Sequence, residues 1–148
     1  MIKRERIRSK FGGRCAYCGR ELGKTFHADH VEPLCRDWDN GALAVYGRKK
    51  GKDSEDNLFP ACPRCNRRKA MMPLEDFRLT IYAEVQMLRK YSDKFRLAED
   101  FGIIKETGQD VVFWFEKYKE KNDAWTKISP SCARNATTGT TRNTGRPD

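Results

Sequence analysis

Two Cys-x-x-Cys pairs, Cys15/Cys18 and Cys62/Cys65, enclose the segment His27-Ala28-Asp29-His30-Val31-Glu32-Pro33, which holds both histidines of the chain. Four soft thiolates arriving in two tight bites suit tetrahedral zinc. With four protein ligands no position stays open for substrate, so that zinc is expected to be structural. Two such knuckles in one short chain are poorly explained as merely reduced, buried cysteines. Cys35 and Cys132 fall outside the pairs and read as small, semi-buried side chains without a role. Asp29-His30 offers a second chemistry: a carboxylate oxygen suits a hard divalent cation, while a neutral imidazole can accept a proton from water near pH 7. Asn57 stands ahead of the second knuckle and Asn66 directly after Cys65. Zinc would tie Cys18 to Cys62 and Cys65 and so clamp the strand carrying Asp29-His30 near the helix carrying Asn66. His27 would share a strand face with Asp29; a plain hydrogen-bonding role outweighs metal assistance there.

Asp29-His30, then Asn57-Leu58, then Cys62-x-x-Cys65-Asn66-x-x-Lys69 resembles the HNH, or ββα-metal, endonuclease family, and in particular its zinc-knuckled subset, to which the phage junction-resolving endonucleases belong. The resemblance implies that His30 is the general base and that Asp29 and Asn66 hold the catalytic divalent metal. It implies further that Asn57 orients the loop and backbone around the base and that Lys69 meets phosphate. Asn66 stands where many members carry His, and an amide oxygen favours magnesium or manganese over zinc. The interval from His30 to Asn57 is longer than usual, the excess being the loop 37–56. Arg64, Arg67 and Arg68 cluster at the helix start and are expected on phosphate; the run Arg48 to Lys52 is as readily solvated surface as phosphate contact.

These residues need elements to position them. Ile2, Ile7 and Phe11 in a charged stretch fit a short helix stopped by Gly12-Gly13. Residues 25–34 read as a strand closed by Pro33, and 37–56 as an insertion loop holding the apolar island Leu43-Ala44-Val45-Tyr46. A helix beginning at the metal is expected to carry Asn66 and run until Pro73. Phe77, Ile81, Val85 and Leu88 recur at helical spacing, with Glu75 and Asp76 in the favoured first turn, and a further helical piece is expected over residues 92–101. Val111-Val112-Phe113-Trp114-Phe115 is β-branched and aromatic, which favours a strand. Residues 129–148 are almost purely Ser, Thr, Asn, Gly, Pro and Arg and predict a disordered tail.

The fold expected is α+β. A zinc-stapled ββα-metal core occupies 1–72, with the insertion loop 37–56. A helical extension with a short strand element fills 73–128, and a tail 129–148 ends the chain. A chain of 148 residues buries a modest core. Its 30 Lys plus Arg against 21 Asp plus Glu, a net charge of +9, suit a partner carrying phosphates. The basic residues Lys3, Arg4, Arg6, Arg8, Lys10 and Arg14 make the N-terminal segment a positive surface. No apolar run has the length of a membrane span or signal peptide, so an intracellular, cytoplasmic protein is expected, and phage origin fits equally. The activity expected is phosphodiester hydrolysis in DNA, with structural zinc and catalytic magnesium or manganese. The rivals are a non-catalytic zinc module that binds nucleic acid and a nuclease subunit of a phage packaging or defence complex. Partner proteins and a homodimer stay open.

Overall fold

The computed structural model describes residues 4–128, with side chains described to Asn122. The predicted tail, residues 129–148, lies outside the described residues, as does Cys132. Helix α1 (Arg4–Ser9) sinks Ile7 into the core and runs into a 3-10 turn, Lys10–Gly13. Strand β1 (His27–His30) pairs antiparallel with β2 (Leu58–Ala61), with His27 opposite Ala61 and His30 opposite Leu58. Between them the insertion contains helix α2 (Asn40–Val45), capped by the Asp39 side chain on the Ala42 amide. Helix α3 (Pro63–Lys69) follows β2 without a loop. Helices α4 (Leu74–Tyr91), α5 (Asp93–Asp100) and α6 (Trp114–Ile128) complete the chain. Among the described residues, no helix is long and apolar enough to cross a membrane.

The local chemistry accounts for most of these boundaries. Pro63 takes the first turn of α3, where its missing N–H costs nothing, and the helix stops at Lys69. Ala70 follows with φ 47° and ψ −123°, and the Met72 amide bonds back to the Lys69 carbonyl, a tight type II′ turn made with alanine where glycine is usual. Pro73 then caps α4, whose Phe77 is its buried anchor.

The strand expected at 111–115 is not formed. Helix α6 starts at Trp114, and the Glu116 carboxylate accepts from the Phe113 amide three residues back, the reciprocal half of a capping box. The β-prone residues are used otherwise: the amides of Trp114 and Phe115 donate to the carbonyls of Tyr17 and Ala16, in the first knuckle, at 3.0 and 2.8 Å. This fixes Phe113 and Phe115 in the core beside Ile7, Tyr17, Leu58 and Phe77. Tyr17 meets both Phe77 and Phe113 edge to face, at 5.6 Å in each case. The core expected to close within 1–72 therefore draws the aromatic side chains of Phe77, Phe113 and Phe115 from beyond it. Part of the basic N-terminal face is structural as well: Arg8 donates to the carbonyls of Leu22 and Gly23, and Arg4 to that of Phe26 while lying over its ring.

Candidate active site and metal centre

The first knuckle is a tight turn in which the Gly19 amide returns to the Cys15 carbonyl at 2.9 Å. Gly19 has φ 71°, and a Cβ there would stand only 3.0 Å from the Trp114 ring, so conformation calls for glycine and space leaves little room for more. The second knuckle is the start of α3 itself, with Cys62 as its cap. Hydrogen bonding between the Cys62 amide and the Cys15 sulfur, at 3.3 Å, joins the two. The four sulfurs of Cys15, Cys18, Cys62 and Cys65 all lie within 4.8 Å of one another, with Cys18 and Cys62 at 3.9 Å. Zinc–sulfur bonds of roughly 2.3 Å put the edges of a tetrahedron at about 3.8 Å, so the cluster fits zinc with small inward movement. Electrostatics agree. The Cys15 thiol is pushed down to about 4 by its contact with the Cys65 sulfur, helped by backbone donors, while the same contact and burial push Cys65 up. Four thiolates in this volume repel one another and need a cation to ionise together.

The second cluster is built on β1, α3 and the insertion. Asp29, His30 and Asn66 line one cleft of about 450 Å³, together with Arg36 and Asp37 from the start of the insertion and Ala70 from the turn after α3. Asp29 is nearly buried. It accepts from the Tyr17 hydroxyl and pairs with the Lys69 ammonium at 3.1 Å. Lys69 donates also to the His30 carbonyl at 2.8 Å. The Nε2 of His30 lies 3.0 Å from the Asp53 carboxylate, and Arg36 joins the same carboxylate at 3.4 Å. Contact with His30 and the nearby Arg36 charge hold the Asp53 carboxyl below its usual range, so it is an acceptor at neutral pH and Nε2 carries the proton. No side-chain hydrogen bond engages the Asn66 amide among the described residues.

Asn57 sits behind this cleft. Its side chain accepts from the Glu32 amide and donates to the carbonyls of Glu32 and Lys52, all within 2.8–2.9 Å, bolting the end of the insertion to the residues after β1. Gly51 is pressed against the same place: a Cβ there would stand 2.0 Å from the Glu32 carbonyl oxygen. This clamp carries Asp53 to His30.

Other expected site residues lie elsewhere. Lys69, expected on phosphate, has no exposed surface; its charge is turned inward to Asp29 and the His30 carbonyl. Arg64 lies beside the four-cysteine cluster, where the Cys65 and Cys18 sulfurs raise its already high pKa. Arg68 pairs with Glu84 of α4. Arg67 is exposed and has no ion-pair partner among the described residues. The three arginines, at i, i+3 and i+4 on one face of α3, thus differ in what they meet. His27 is exposed and lies outside the cleft. Two residues of the cluster, Tyr17 and Asp53, carried no signal in the sequence beyond a Tyr inside a knuckle and an Asp in a polar loop.

Residues 15–70 match the family model described as HNH endonuclease. No curated protein and no solved structure matches the chain.

Proposed function

From the HNH domain at residues 15–70, we propose that this protein is a metal-dependent endonuclease that hydrolyses phosphodiester bonds in DNA. The carrying observation is the meeting of Asp29, His30 and Asn66 on one cleft while Asp53 engages the Nε2 of His30. With Nε2 as donor to Asp53, Nδ1 is the nitrogen left to take a proton from water, the general-base arrangement in which a third group fixes the tautomer. Asp29 and Asn66 offer two hard oxygens and would hold magnesium or manganese. When bound, that cation supplies stabilisation of charge on the phosphate and the leaving oxygen. Lys69 acts from within, fixing the Asp29 carboxylate and the His30 backbone together. Tyr17 fixes the same carboxylate from the zinc knuckle, and Arg67, exposed and without an ion-pair partner among the described residues, is the cation of α3 offered to a substrate phosphate. Zinc on Cys15, Cys18, Cys62 and Cys65 holds both halves of the site in register.

The test is cleavage of supercoiled, linear, branched and single-stranded DNA by the parent and by His30→Ala. The variant is expected to keep zinc and DNA binding and to lose roughly 10²–10⁴-fold in rate, the worth of a positioned base. A mild chelator should stop the parent and added magnesium or manganese restore it while the thiolate zinc stays bound. Full cleavage by His30→Ala, or none by the parent with any divalent ion, would leave a non-catalytic nucleic-acid-binding zinc module as the better reading.

A further inference from the structure

The insertion brings to the rim of the cleft a surface that hydrolysis does not use. Arg36 and Asp37 line the cleft with His30 and Asn66, and the next residue is Trp38. Trp38 is 40% exposed and Tyr46 66% exposed, and the two rings meet edge to face at 5.6 Å, which leaves flat aromatic surface open to solvent. Leu43 of α2, the helix that Tyr46 ends, is buried at 2% exposure. Lys50 pins Trp38 to the basic run by donating to the carbonyls of Trp38 and Arg36 at 3.0 and 3.4 Å. The run itself, Arg48 to Lys52, forms a ridge: hollows of about 600 and 490 Å³ share Gly47, Arg48, Lys49 and Lys50 as wall. Lys49 and Lys52 are exposed, and their ammonium groups make no hydrogen bond or ion pair among the described residues.

Open aromatic faces beside a track of uncommitted cations are the means by which proteins hold single strands. Bases stack on the rings while the backbone follows the charge. A duplex keeps its base faces covered and can use only the cations. We propose that residues 36–52 form a platform for unpaired nucleotides next to the scissile bond, with bases stacking on Trp38 and Tyr46 and phosphates meeting Lys49 and Lys52. The platform would direct the cleft toward DNA that is single-stranded or locally opened. The proposal rests on the cleft's accepting nucleic acid, and not on its cutting it.

Anisotropy of a labelled oligothymidine strand, and of a duplex of equal length, measured with the full chain in zinc-loaded form without other divalent ions, reads the platform without cleavage. Trp38→Ala is expected to weaken single-strand binding at least about fivefold, the worth of one stacked base, and duplex binding less than about twofold. Trp38→Phe should recover most of the loss. Tyr46→Ala, on the more exposed of the two rings, serves if Trp38→Ala fails to fold. Lys49→Ala with Lys52→Ala should lower the salt slope for both probes by about 1 to 2. Aromatic variants that leave single-strand affinity unchanged, or weaken both probes alike, overturn the platform. A parent that cuts nothing but shows the Trp38 effect sinks the nuclease reading and keeps the platform; a parent that cuts and shows none does the reverse.

Discussion

Replacing Lys69 by methionine should be among the most damaging single changes that leave the knuckles intact. The ammonium is fully buried, 3.1 Å from Asp29 and 2.8 Å from the His30 carbonyl. A methionine side chain nearly matches the lysine in length but would strand the Asp29 carboxylate with only the Tyr17 hydroxyl. Removing one partner of a buried ion pair costs about 3–5 kcal/mol, against a total stability of roughly 5–15 kcal/mol. The melting temperature should then fall by on the order of 10 °C or more. Two further measurements isolate the cause. Asp29→Asn combined with Lys69→Met removes both charges and should recover about 2 kcal/mol of the loss in urea titration, since neighbours in one network are not additive. Magnesium should stabilise Lys69→Met more than it stabilises the parent, because the divalent ion would then meet a carboxylate without a competing ammonium. A loss below about 1 kcal/mol, or a double variant no better than the single, would refute the buried pairing and return Lys69 to the surface role expected from sequence.

Gly51→Ala should keep zinc and overall fold yet lose cleavage, because a Cβ 2.0 Å from the Glu32 carbonyl must displace the loop that Asn57 holds and that delivers Asp53; normal kinetics from this variant would sever the clamp from catalysis. Ala70→Gly should raise stability by about 1 kcal/mol in urea titration by relieving a conformation that costs of order 1–3 kcal/mol for a residue with a side chain; a destabilised variant would refute the strain. Glu99 is held below its ordinary 4.5 by the Arg89 guanidinium. Because the folded value is the lower one, its contribution is complete above pH 4.5 and fades as pH falls through the folded value. Hydrogen-exchange protection across residues 89–103, taken relative to the intrinsic exchange rate at each pH, should fall on acidification through that range, and Arg89→Gln should flatten the dependence.

What the sequence made legible was local. The two knuckles, the strand carrying Asp29-His30 and helix α4 each depend on neighbours within a turn or two, and all form where expected. Asn66 reaches the cleft because the second knuckle, Cys62 and Cys65, forms the start of its own helix. What stayed hidden depends on long-range packing. Asp53 meets His30 only because Asn57 folds the insertion back, and Lys69 turns inward only because β1 lies across α3, so neither residue type nor spacing announces the partner. The misread segment is of the same kind: Val111 to Phe115 has β-forming residues, but its backbone bonds to two knuckle carbonyls leave no strand to extend, and the Glu116 cap starts a helix.

The bond from the Trp114 indole to the Phe11 carbonyl joins positions 103 apart in the chain, and Phe113 and Phe115 fill a core begun by Ile7. A ribosome making this protein must therefore release most of the chain before the aromatic core can close around the knuckles. Until then the nascent chain carries His30, Asn57 and Asn66 without the packing that aligns them. The same topology sets the smallest useful expression fragment. One cut to the family match, residues 15–70, would hold every residue proposed for chemistry and lack the wall that supports them.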